Sequence, residues 1–437
     1  MSDWALWERI QSHARCSPEQ PAFIEIESGR SISYADVVAF AVRSASGGSH
    51  GEPYGESARV MLQSANTIDY PIAFLAHLLN GLAVFPNSPD VPKAELDRAT
   101  ERTGRLAPLP AGEGTVLLCS SGTTGLPKIV RRTRASLDVV ARNMADCIGF
   151  RPADKVIAAV PLVHSYGMEH GLLAPLWAGS TVLLCDGLNV QQIVAAMKQG
   201  ATIFPAVPSI IELLSRSIEA PAHQLRRVYS AGSPLPANVA CDFARTFGVA
   251  VGQVYGMTEL GSVLYHDPAR DTPGSVGRAC VGVSVRVDPQ TSEVLIRSES
   301  MLADYIGEPL ELIDGHLRTG DLGHLTPTGE LVLTGRLRLL IDVGGAKVNP
   351  LEVELVLMQH PGVAIAVVLP LKLSETVSKV RAIVVPTDPA LPPDVAELRA
   401  FVKSQLAAYK VPRVIDMRNS LPRSPTGKIL RQQLETA

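Results

Sequence analysis

Residues 120–128, Ser-Ser-Gly-Thr-Thr-Gly-Leu-Pro-Lys, are the stretch of this sequence best suited to chemistry. They follow an apolar run, residues 115–119, whose composition predicts a buried strand. Glycines let backbone N–H groups approach a ligand, hydroxyls donate hydrogen bonds and the lysine supplies positive charge. The stretch predicts an oxyanion-binding loop, although the same composition also fits an ordinary turn with a solvated lysine.

The order of residues in this loop differs from that of the common phosphate-binding loop. That motif places Gly, Lys and Ser or Thr consecutively. Here Pro127 precedes Lys128 and Ile129 follows it. The sequence therefore disfavours an ordinary P-loop nucleoside triphosphatase.

Several further short motifs follow along the chain in a fixed order. They are residues 161–167 (Pro-Leu-Val-His-Ser-Tyr-Gly), 255–259 (Tyr-Gly-Met-Thr-Glu), 319–321, 335–353 and 425–428. Each one alone is weak evidence, because a strand end with a helix cap or a solvated lysine explains it equally well. Together with the loop at 120–128, the ordered set resembles the adenylate-forming superfamily of acyl-CoA synthetases, adenylation domains and luciferases.

This resemblance implies an enzyme that uses ATP and Mg²⁺ to convert a carboxylic acid into an acyl-AMP, and then forms a thioester. It implies catalytic roles for Thr258 at the α-phosphate, Glu259 at Mg²⁺, His164 beside the carboxylate, and Lys428 between carboxylate and α-phosphate. The cofactor-binding residues that it implies are Ser120, Ser121, Gly122, Thr123, Thr124, Gly125, Lys128, Gly232, Tyr255, Gly256, Asp321, Arg336 and Gly345.

The acid-binding residues implied by the match are His164, Ser165, Tyr166, Val207, Gly232, Val254 and Met257. Amino-acid-activating relatives carry an acidic residue where Ser165 stands, to pair with the substrate ammonium. Because a buried unpaired ammonium is costly, we expect an aromatic or a short- to medium-chain acid rather than an amino acid. Glu169, one helical turn further on, could reverse this expectation by supplying the missing carboxylate.

Two thiol acceptors remain open at this point. The leading hypothesis is a carboxylic acid–CoA ligase, in which the loop containing Gly345 lines the path of the pantetheine arm. The alternative is a stand-alone ligase that loads an acyl or aminoacyl group onto the phosphopantetheine of a carrier protein, which presents the same thiol arm. A non-catalytic binding protein of the same fold is a weaker third hypothesis.

The elements that must position these residues follow from the pattern of strands and helices. The alternation of the two through residue 255 predicts α/β layers with parallel strands. Short segments at residues 283–334 predict a small β subdomain. We therefore predict a large N-terminal domain of αβ layers with that subdomain, residues 1–337, and a small mobile α+β C-terminal domain, residues 338–437, that carries Lys428. The domain must move because Lys428 and the pantetheine loop act on the same carbonyl.

Composition limits the class of protein. The chain has 437 residues, 46% of them hydrophobic and 19% charged, and a formal net charge of −3, so no nucleic acid partner is expected. Apolar runs such as residues 363–369 are too short to span a bilayer, so no membrane association is expected. Six widely spaced cysteines and an N-terminus without a signal peptide predict a cytoplasmic protein. The expected partners are a small acid and CoA or an acyl carrier protein, and the oligomeric state stays open.

Overall fold

The computed structural model describes residues 4–46, 59–89, 91, 112–120, 128–187, 189–217, 220–343, 346–372, 378–424 and 429–435. The chain divides into two compact units. The first unit comprises Met1–Ser284 and Arg297–Gly315, and the second comprises Val285–Ile296 and His316–Ala437. Two parts of the predicted β subdomain, residues 285–296 and 316–334, thus group with the C-terminal residues, whereas residues 297–315 belong to the first unit. A mobile domain starting at residue 338 stays a prediction.

Side-chain caps fix where several helices begin: Thr133, Asn189, Asn349 and Asp394 each accept a hydrogen bond from a backbone N–H of the first helical turn. A π-helical turn, Glu169–Leu173, interrupts the helical segment after His164. The helices are α1 Ala5–Cys16, α2 Tyr34–Ser46, α3 Asp69–Leu79, α4 Arg134–Ile148, α5 Ser165–Met168, α6 Ala174–Ala178, α7 Val190–Lys198, α8 Pro208–Ser217, α9 Ala237–Phe247, α10 Pro350–Leu357, α11 Val395–Gln405 and α12 Gln432–Glu435, with 3₁₀ turns at Leu337–Leu339 and Ala408–Lys410.

The strands match most of the segments that the sequence predicts. In the first unit they are β1 Pro21–Glu25, β2 Ser31–Ser33, β3 Arg59–Gln63, β4 Ala83–Asn87, β5 Thr115–Ser120, β6 Lys128–Thr133, β7 Lys155–Ala158, β8 Thr181–Leu184, β9 Ile203–Ala206, β10 Arg227–Ser230, β11 Val251–Met257, β12 Gly261–His266 and β13 Arg278–Ala279. The later strands are β14 Ser284–Val287, β15 Glu293–Arg297, β16 Asp304–Tyr305, β17 Leu312–Ile313, β18 His316–Leu325, β19 Leu331–Arg336, β20 Ile341–Val343, β21 Ala346–Val348, β22 Val363–Lys372, β23 Ser378–Pro386 and β24 Val414–Met417.

The main sheet of the first unit has the strand order β13-β12-β11-β10-β9-β7-β8-β1-β2. Strands β1 and β7 to β11 pair in parallel, and β2, β12 and β13 complete the edges in antiparallel fashion. The chain runs from β7 to β8 on one side and then crosses back to β9 on the other. Strand order therefore reverses between β7 and β9, which is where ligands bind in open α/β sheets.

Residues of neighbouring positions on β7 and β8 pack into different hydrophobic clusters. Ala158 and Val182 belong to one cluster, whereas Ile157 and Leu183 belong to the other. Because side chains alternate between the faces of a strand, the two clusters lie on opposite faces of the sheet. Burial on both faces explains why these strands are continuous apolar runs in the sequence, as in other parallel sheets.

A second sheet of the first unit has the order β16-β6-β5-β4-β3. Strands β5 and β6 form an antiparallel pair in which Ser120 lies opposite Lys128. The sequence predicts β5 correctly but does not predict β6, because the arginines at 131 and 132 hide its apolar positions. The predicted oxyanion loop thus joins two paired strands.

The second unit contains smaller sheets. Strands β14, β15, β18 and β19 are neighbours in one antiparallel sheet, β20 pairs with β21, and β22, β23 and β24 form a three-stranded sheet. Helices α10 and α11 pack on the last sheet through a core that includes Val353, Val368 and Leu398. The predicted α+β character of the C-terminal region is confirmed.

Two further expectations from the sequence concern the cysteines and membrane-spanning segments. None of the six cysteines forms a disulfide bond in this structure. Within the described ranges, none of the helices is both long enough and apolar enough to cross a membrane.

One buried carboxylate joins the amino ends of the central parallel strands. Asp154 accepts hydrogen bonds from Thr202 Oγ1 at 2.8 Å, from Arg226 Nε at 2.9 Å and from the Arg151 N–H at 2.7 Å. Its backbone carbonyl accepts from the N–H of Thr181 at 2.9 Å. Asp154, Thr202 and Arg226 immediately precede β7, β9 and β10, and Thr181 is the first residue of β8. These bonds therefore hold the amino ends of four neighbouring strands together.

Replacing Asp154 by Ala should lower the free energy of unfolding by about 2–4 kcal/mol, because Arg226 loses its buried partner. Burial alone raises the pKa of the Asp154 carboxyl, but hydrogen bonds from Arg226 and Thr202 outweigh it and hold the pKa below its usual range. The stabilisation is therefore fully present above pH 4 and is lost as the pH falls through the lowered pKa. Urea unfolding at pH 7 and at decreasing pH measures both effects, with Asp146→Ala, an exposed aspartate on α4, as the control.

Candidate active site

The residues that follow β7, β9, β10 and β11 meet at the carboxyl edge of the main sheet. Residues 159–164 follow β7, Val207 follows β9, Gly232 follows β10 and Thr258 follows β11. Parallel pairing requires these ends to share one edge, and the reversal of strand order opens a crevice there. The predicted residues of the first unit that lie on these segments are thus brought to one place by the topology.

Three buried side-chain atoms at this edge have no hydrogen-bond partner among the described residues. They are Nε2 of His164, Oγ of Ser209 and Oγ of Ser230. Buried polar atoms are nearly always paired, and exceptions call for an explanation such as a ligand. These three follow or end β7, β9 and β10, so their position favours a site that receives a polar ligand. Ser209 is not predicted from the sequence, since a serine at the start of a helix is usually a cap.

The turn between β11 and β12 holds the carboxylate predicted to bind Mg²⁺. Glu259 is buried, and Tyr305 Oη donates to its Oε1 at 3.3 Å. Lys128 Nζ lies 4.5 Å from the centre of the Tyr305 ring and 2.7 Å from Glu308 Oε2. The structure therefore gathers Lys128 and Glu259 around Tyr305, although they are 131 positions apart in the sequence.

The surroundings of Glu259 fit a magnesium ion that is bound together with a polyphosphate. Mg²⁺ usually takes only one or two protein carboxylates and fills its other positions with phosphate oxygens and water. Glu259 supplies one such carboxylate. In the part of the chain that the structure describes, no group of three His, Cys, Asp or Glu side chains could hold a metal by itself.

A buried polar network lies directly beneath this turn. Arg132 Nη1 lies 3.6 Å from Glu169 Oε1 and donates to the Thr258 carbonyl at 3.2 Å. Glu169 Oε2 accepts from the N–H of Ser262 at 2.8 Å and from its hydroxyl at 2.7 Å. Because the single hydroxyl proton of Ser262 goes to Glu169, its oxygen accepts from His170 Nε2 at 2.9 Å.

The hydrogen-bond partners of His170 also determine its tautomer. Burial lowers the pKa of His170 to about 3, so the ring is neutral, with the proton on Nε2. Nδ1 then accepts from the phenol of Tyr229 at 3.0 Å. Each donor in the series from Tyr229 to Glu169 thus has one acceptor. Glu169 and His170 turn inward at the π-helical turn, in which the N–H of Ala174 bonds to the Glu169 carbonyl.

Sequence reasoning misses this network, apart from its mention of Glu169 as a partner for a substrate ammonium. Arg132 looks like part of an exposed basic cluster, but its side chain is 0% exposed. The one signal in the sequence is that Arg132 follows the apolar pair Ile129-Val130, while Glu169 stands between Met168 and the apolar residues Leu172 and Leu173. Neither stretch alone shows which charge it meets.

Aromatic rings fill the space below the crevice. The ring centres of Tyr166 and His170 are 4.8 Å apart, those of His170 and Tyr229 are 5.2 Å apart, and those of Tyr229 and Tyr265 are 6.1 Å apart. The gap that Tyr166 and His170 leave against Ala158 and Pro205 is too narrow for a water molecule. These rings are therefore closely packed next to the carboxyl edge of the sheet.

The remaining predicted residues of the first unit differ in exposure. Val207, Val254 and Tyr255 are buried, whereas Met257 and Thr258 are partly buried. Gly256 is exposed, and so is Gly232, which has a φ of +86° that a residue with a Cβ rarely adopts.

The Ser165 hydroxyl donates to Glu169 Oε1 at 2.8 Å. Burial lowers the pKa of the partly exposed His164, so its ring is neutral at pH 7.

Two predicted nucleotide contacts lie in the second unit. Asp321 on β18 is opposite Arg336 on β19, and Arg336 Nε donates to Asp321 Oδ1 at 2.5 Å. Asp321 is buried, whereas Arg336 is partly exposed. The two residues thus form an ion pair across neighbouring strands.

Several predicted residues lie outside the described parts of the chain, and their roles stay predictions. They are Ser121, Gly122, Thr123, Thr124, Gly125, Gly345 and Lys428. Ser120 is described only through its backbone, as the last residue of β5.

Comparison with known proteins identifies the family. Residues 105–305 match the model of the AMP-binding enzyme, and residues 352–428 match that of the AMP-binding enzyme C-terminal domain. A sulfoacetate–CoA ligase of Cupriavidus necator is 32% identical over 405 residues, which cover 87% of this chain and 76% of the relative. A 4-coumarate–CoA ligase of Oryza sativa subsp. japonica is 32% identical over 346 residues, which cover 72% of this chain and 62% of the relative.

A solved structure agrees with these matches. The crystal structure of ATP-bound MatB from Rhodopseudomonas palustris is similar to this chain with a TM-score of 0.87 and 25% identity, covering 98% of each chain. The fold, the site and these relatives define the class as an ATP-dependent acid–thiol ligase. The chain belongs to the AMP-binding enzyme family, and the resemblance, the fold class and the enzyme class predicted from the sequence are confirmed.

Two buried serines test whether the carboxyl edge is a binding site. Ser230→Ala removes a hydroxyl without a partner among the described residues, so the free energy of unfolding should change by less than about 0.5 kcal/mol. Acid-dependent exchange of pyrophosphate into ATP should nevertheless fall about tenfold in kcat/KM. Ser262→Ala breaks two hydrogen bonds and should lose about 1–3 kcal/mol of stability. If both variants lose the same stability and Ser230→Ala keeps normal pyrophosphate exchange, the carboxyl edge is not a binding site.

Proposed function

We propose that this chain activates a short carboxylic acid with ATP and transfers the acyl group to the thiol of coenzyme A. In the first step a carboxylate oxygen attacks the α-phosphorus, forming acyl-AMP and releasing pyrophosphate. In the second step the thiolate attacks the acyl carbon and AMP leaves. Its cytoplasmic location remains a prediction of the sequence.

The observation that carries this proposal is the set of unpartnered buried atoms on His164, Ser209 and Ser230. They lie on the segments that close the crevice at the reversal of strand order. A carboxylate and the phosphate next to it offer several acceptor oxygens, which suit the hydroxyl donors of both serines. A neutral His164 can accept or donate there without adding a second charge.

The proposed roles follow from where charge must be balanced during the first step. Thr258 contacts the α-phosphate, and Lys428 bridges the α-phosphate and the acid carboxylate, so that negative charge in the transition state is stabilised. Lys128 and the loop before it hold the phosphates that leave as pyrophosphate, while Asp321 and Arg336 contact the nucleoside. Glu259 would hold Mg²⁺, which when bound neutralises charge on the triphosphate.

Two features of the site favour a short acid without an amino group. The Tyr166, His170 and Tyr229 rings pack closely against one another beside the crevice, and such packing favours a short acid over a long chain. Glu169 is buried against Arg132, so its carboxylate is already neutralised and supports no substrate ammonium. The relative named for sulfoacetate agrees with a short acid, and the relative named for 4-coumarate keeps an aromatic acid as the alternative.

Coenzyme A is the proposed acceptor because the relatives are named CoA ligases. A carrier-protein phosphopantetheine presents the same thiol, so the acceptor is decided by experiment. The proposed loop with Gly345 allows the thiol arm to pass close to the backbone in either case.

A panel of acids tests the proposal directly. Acetate, propionate, sulfoacetate, oxalate, benzoate and 4-coumarate are each supplied with MgATP, and pyrophosphate exchange is measured. Active acids are then supplied with CoA or with a holo carrier protein. We expect exchange with a short acid and thioester formation on CoA. Exchange with none of the acids would contradict the proposed reaction, and thioester formation only on the carrier protein would contradict the proposed acceptor.

Lys428→Ala should lower pyrophosphate exchange by at least about a hundredfold, because the charge that stabilises the transition state is lost. Binding of MgATP, measured by calorimetry, should change much less. Lys403→Ala, an exposed lysine on α11, is the matched control and should retain full activity. Full exchange activity in Lys428→Ala would remove this lysine from the chemistry.

A further inference from the structure

Arg132 and Glu169 form the most deeply buried ion pair among the described residues near the site. Their side chains are 0% and 1% exposed. Burying opposite charges requires strong desolvation, and such a pair does not as a rule add stability compared with apolar side chains. A gain in folding stability therefore does not explain why this ion pair is buried at this position.

The pair connects three segments that the proposed reaction uses. Arg132 lies on β6, four residues after Lys128, and its Nη1 donates to the carbonyl of Thr258 at 3.2 Å. Glu169 accepts at 2.8 Å from the hydroxyl of Ser165, which follows His164. It also accepts from the backbone N–H of Ser262 on β12 at 2.8 Å. The turn that carries Thr258 and Glu259 is thus held from both ends.

The charges are balanced in a way that leaves Glu259 available. Burial lowers the pKa of Arg132, and the fields of Glu169 and, more weakly, Glu259 act in the opposite direction. Glu169 lies within ion-pair distance of the guanidinium, whereas Glu259 accepts from the neutral phenol of Tyr305. Neutralisation of Arg132 by Glu169 keeps the negative charge of Glu259 free for a cation.

Gly261 shows how closely the turn fits over the pair. Its φ is +71°, and a Cβ built there would lie 2.9 Å from both Arg132 Nη2 and Glu169 Oε1. The same Nη2 is buried with no hydrogen-bond partner among the described residues. The guanidinium thus lies in contact with the turn, where Nη1 donates to the Thr258 carbonyl and Nη2 is held by close packing.

We propose that Arg132 and Glu169 are positioning residues, which fix the Thr258–Glu259 turn and preserve the charge of Glu259 for magnesium-bound ATP. This inference rests on the proposed function, since it assigns MgATP to that turn. Neither residue needs to contact the reacting atoms. Their effect passes through the Thr258 carbonyl and through the balance of charge at Glu259.

Binding of MgATP to the full chain, measured by calorimetry, tests this inference without an acid. Arg132→Met should weaken binding about tenfold or more, as loss of an outer partner of a metal ligand does. Glu169→Gln keeps the size of the side chain but frees Arg132 to pair with Glu259, so it should weaken binding in the same direction. Arg132→Lys keeps the charge and should restore part of the affinity. In EDTA without Mg²⁺, the variants should differ less in their affinity for ATP.

Arg226→Met is the matched control, because it breaks an ion pair with Asp154 at the opposite, amino edge of the strands. It should lower the urea midpoint of unfolding without changing the affinity for MgATP. If Arg132→Met lowers only stability, as the control does, and Glu169→Gln and Arg132→Lys bind MgATP normally, the positioning role is wrong. If Arg132→Met does not fold, Glu169→Gln and Arg132→Lys decide the matter.

Failure of the proposed reaction is distinguishable from failure of this inference. One possible result is that no acid supports pyrophosphate exchange while Arg132→Met still weakens MgATP binding. This result would contradict the proposed reaction but not the positioning role. Normal exchange in the wild type with unchanged MgATP affinity in Arg132→Met and Glu169→Gln would contradict only the positioning pair. A wild-type chain that binds no MgATP would overturn both.

Discussion

Parallel pairing of the central strands is the constraint on which the site depends. The strands β7, β9, β10 and β11 must all end at one edge, and the bonds of Asp154 hold the amino ends of β7, β9 and β10 level. Backbone groups beyond the last paired residues then need other partners, and the side chains there face a crevice rather than a neighbouring strand. Residues separated by long stretches of sequence meet because of this register.

The cost of burying charge determines how the residues around the crevice are arranged. A carboxylate that is neutralised by a guanidinium has little attraction left for a cation. Glu169 and Glu259 are both buried near Arg132, but Glu169 forms the ion pair, while Glu259 accepts from a phenol. Two carboxylates of the same chemistry therefore have different partners, one a guanidinium and the other a phenol. The neutral His170 and Ser262 extend this arrangement without adding charge.

Most of the fold could be predicted from the sequence, because alternating strands and helices leave a clear hydrophobic period. The exceptions have identifiable causes. Strand β6 is missed because Arg131 and Arg132 interrupt its apolar pattern, and each arginine is buried only because a carboxylate from a distant segment meets it. The helix expected after His164 contains a π-helical turn, which no local pattern indicates. Val207 and Val254 belong to hydrophobic clusters, and their predicted role in the acid pocket stays a prediction.

The family, the order of the motifs and the class of reaction could be read from the sequence, since these depend on residue types at fixed local spacing. Which charges meet depends on the tertiary structure. It placed Lys128 over the ring of Tyr305, whose hydroxyl donates to Glu259, and it enclosed Glu169 with Arg132 rather than leaving it for a substrate ammonium. It also left His164, Ser209 and Ser230 with buried atoms that have no partner among the described residues. The physical reason is that burial and pairing depend on contacts between distant segments, and local spacing carries no information about those contacts.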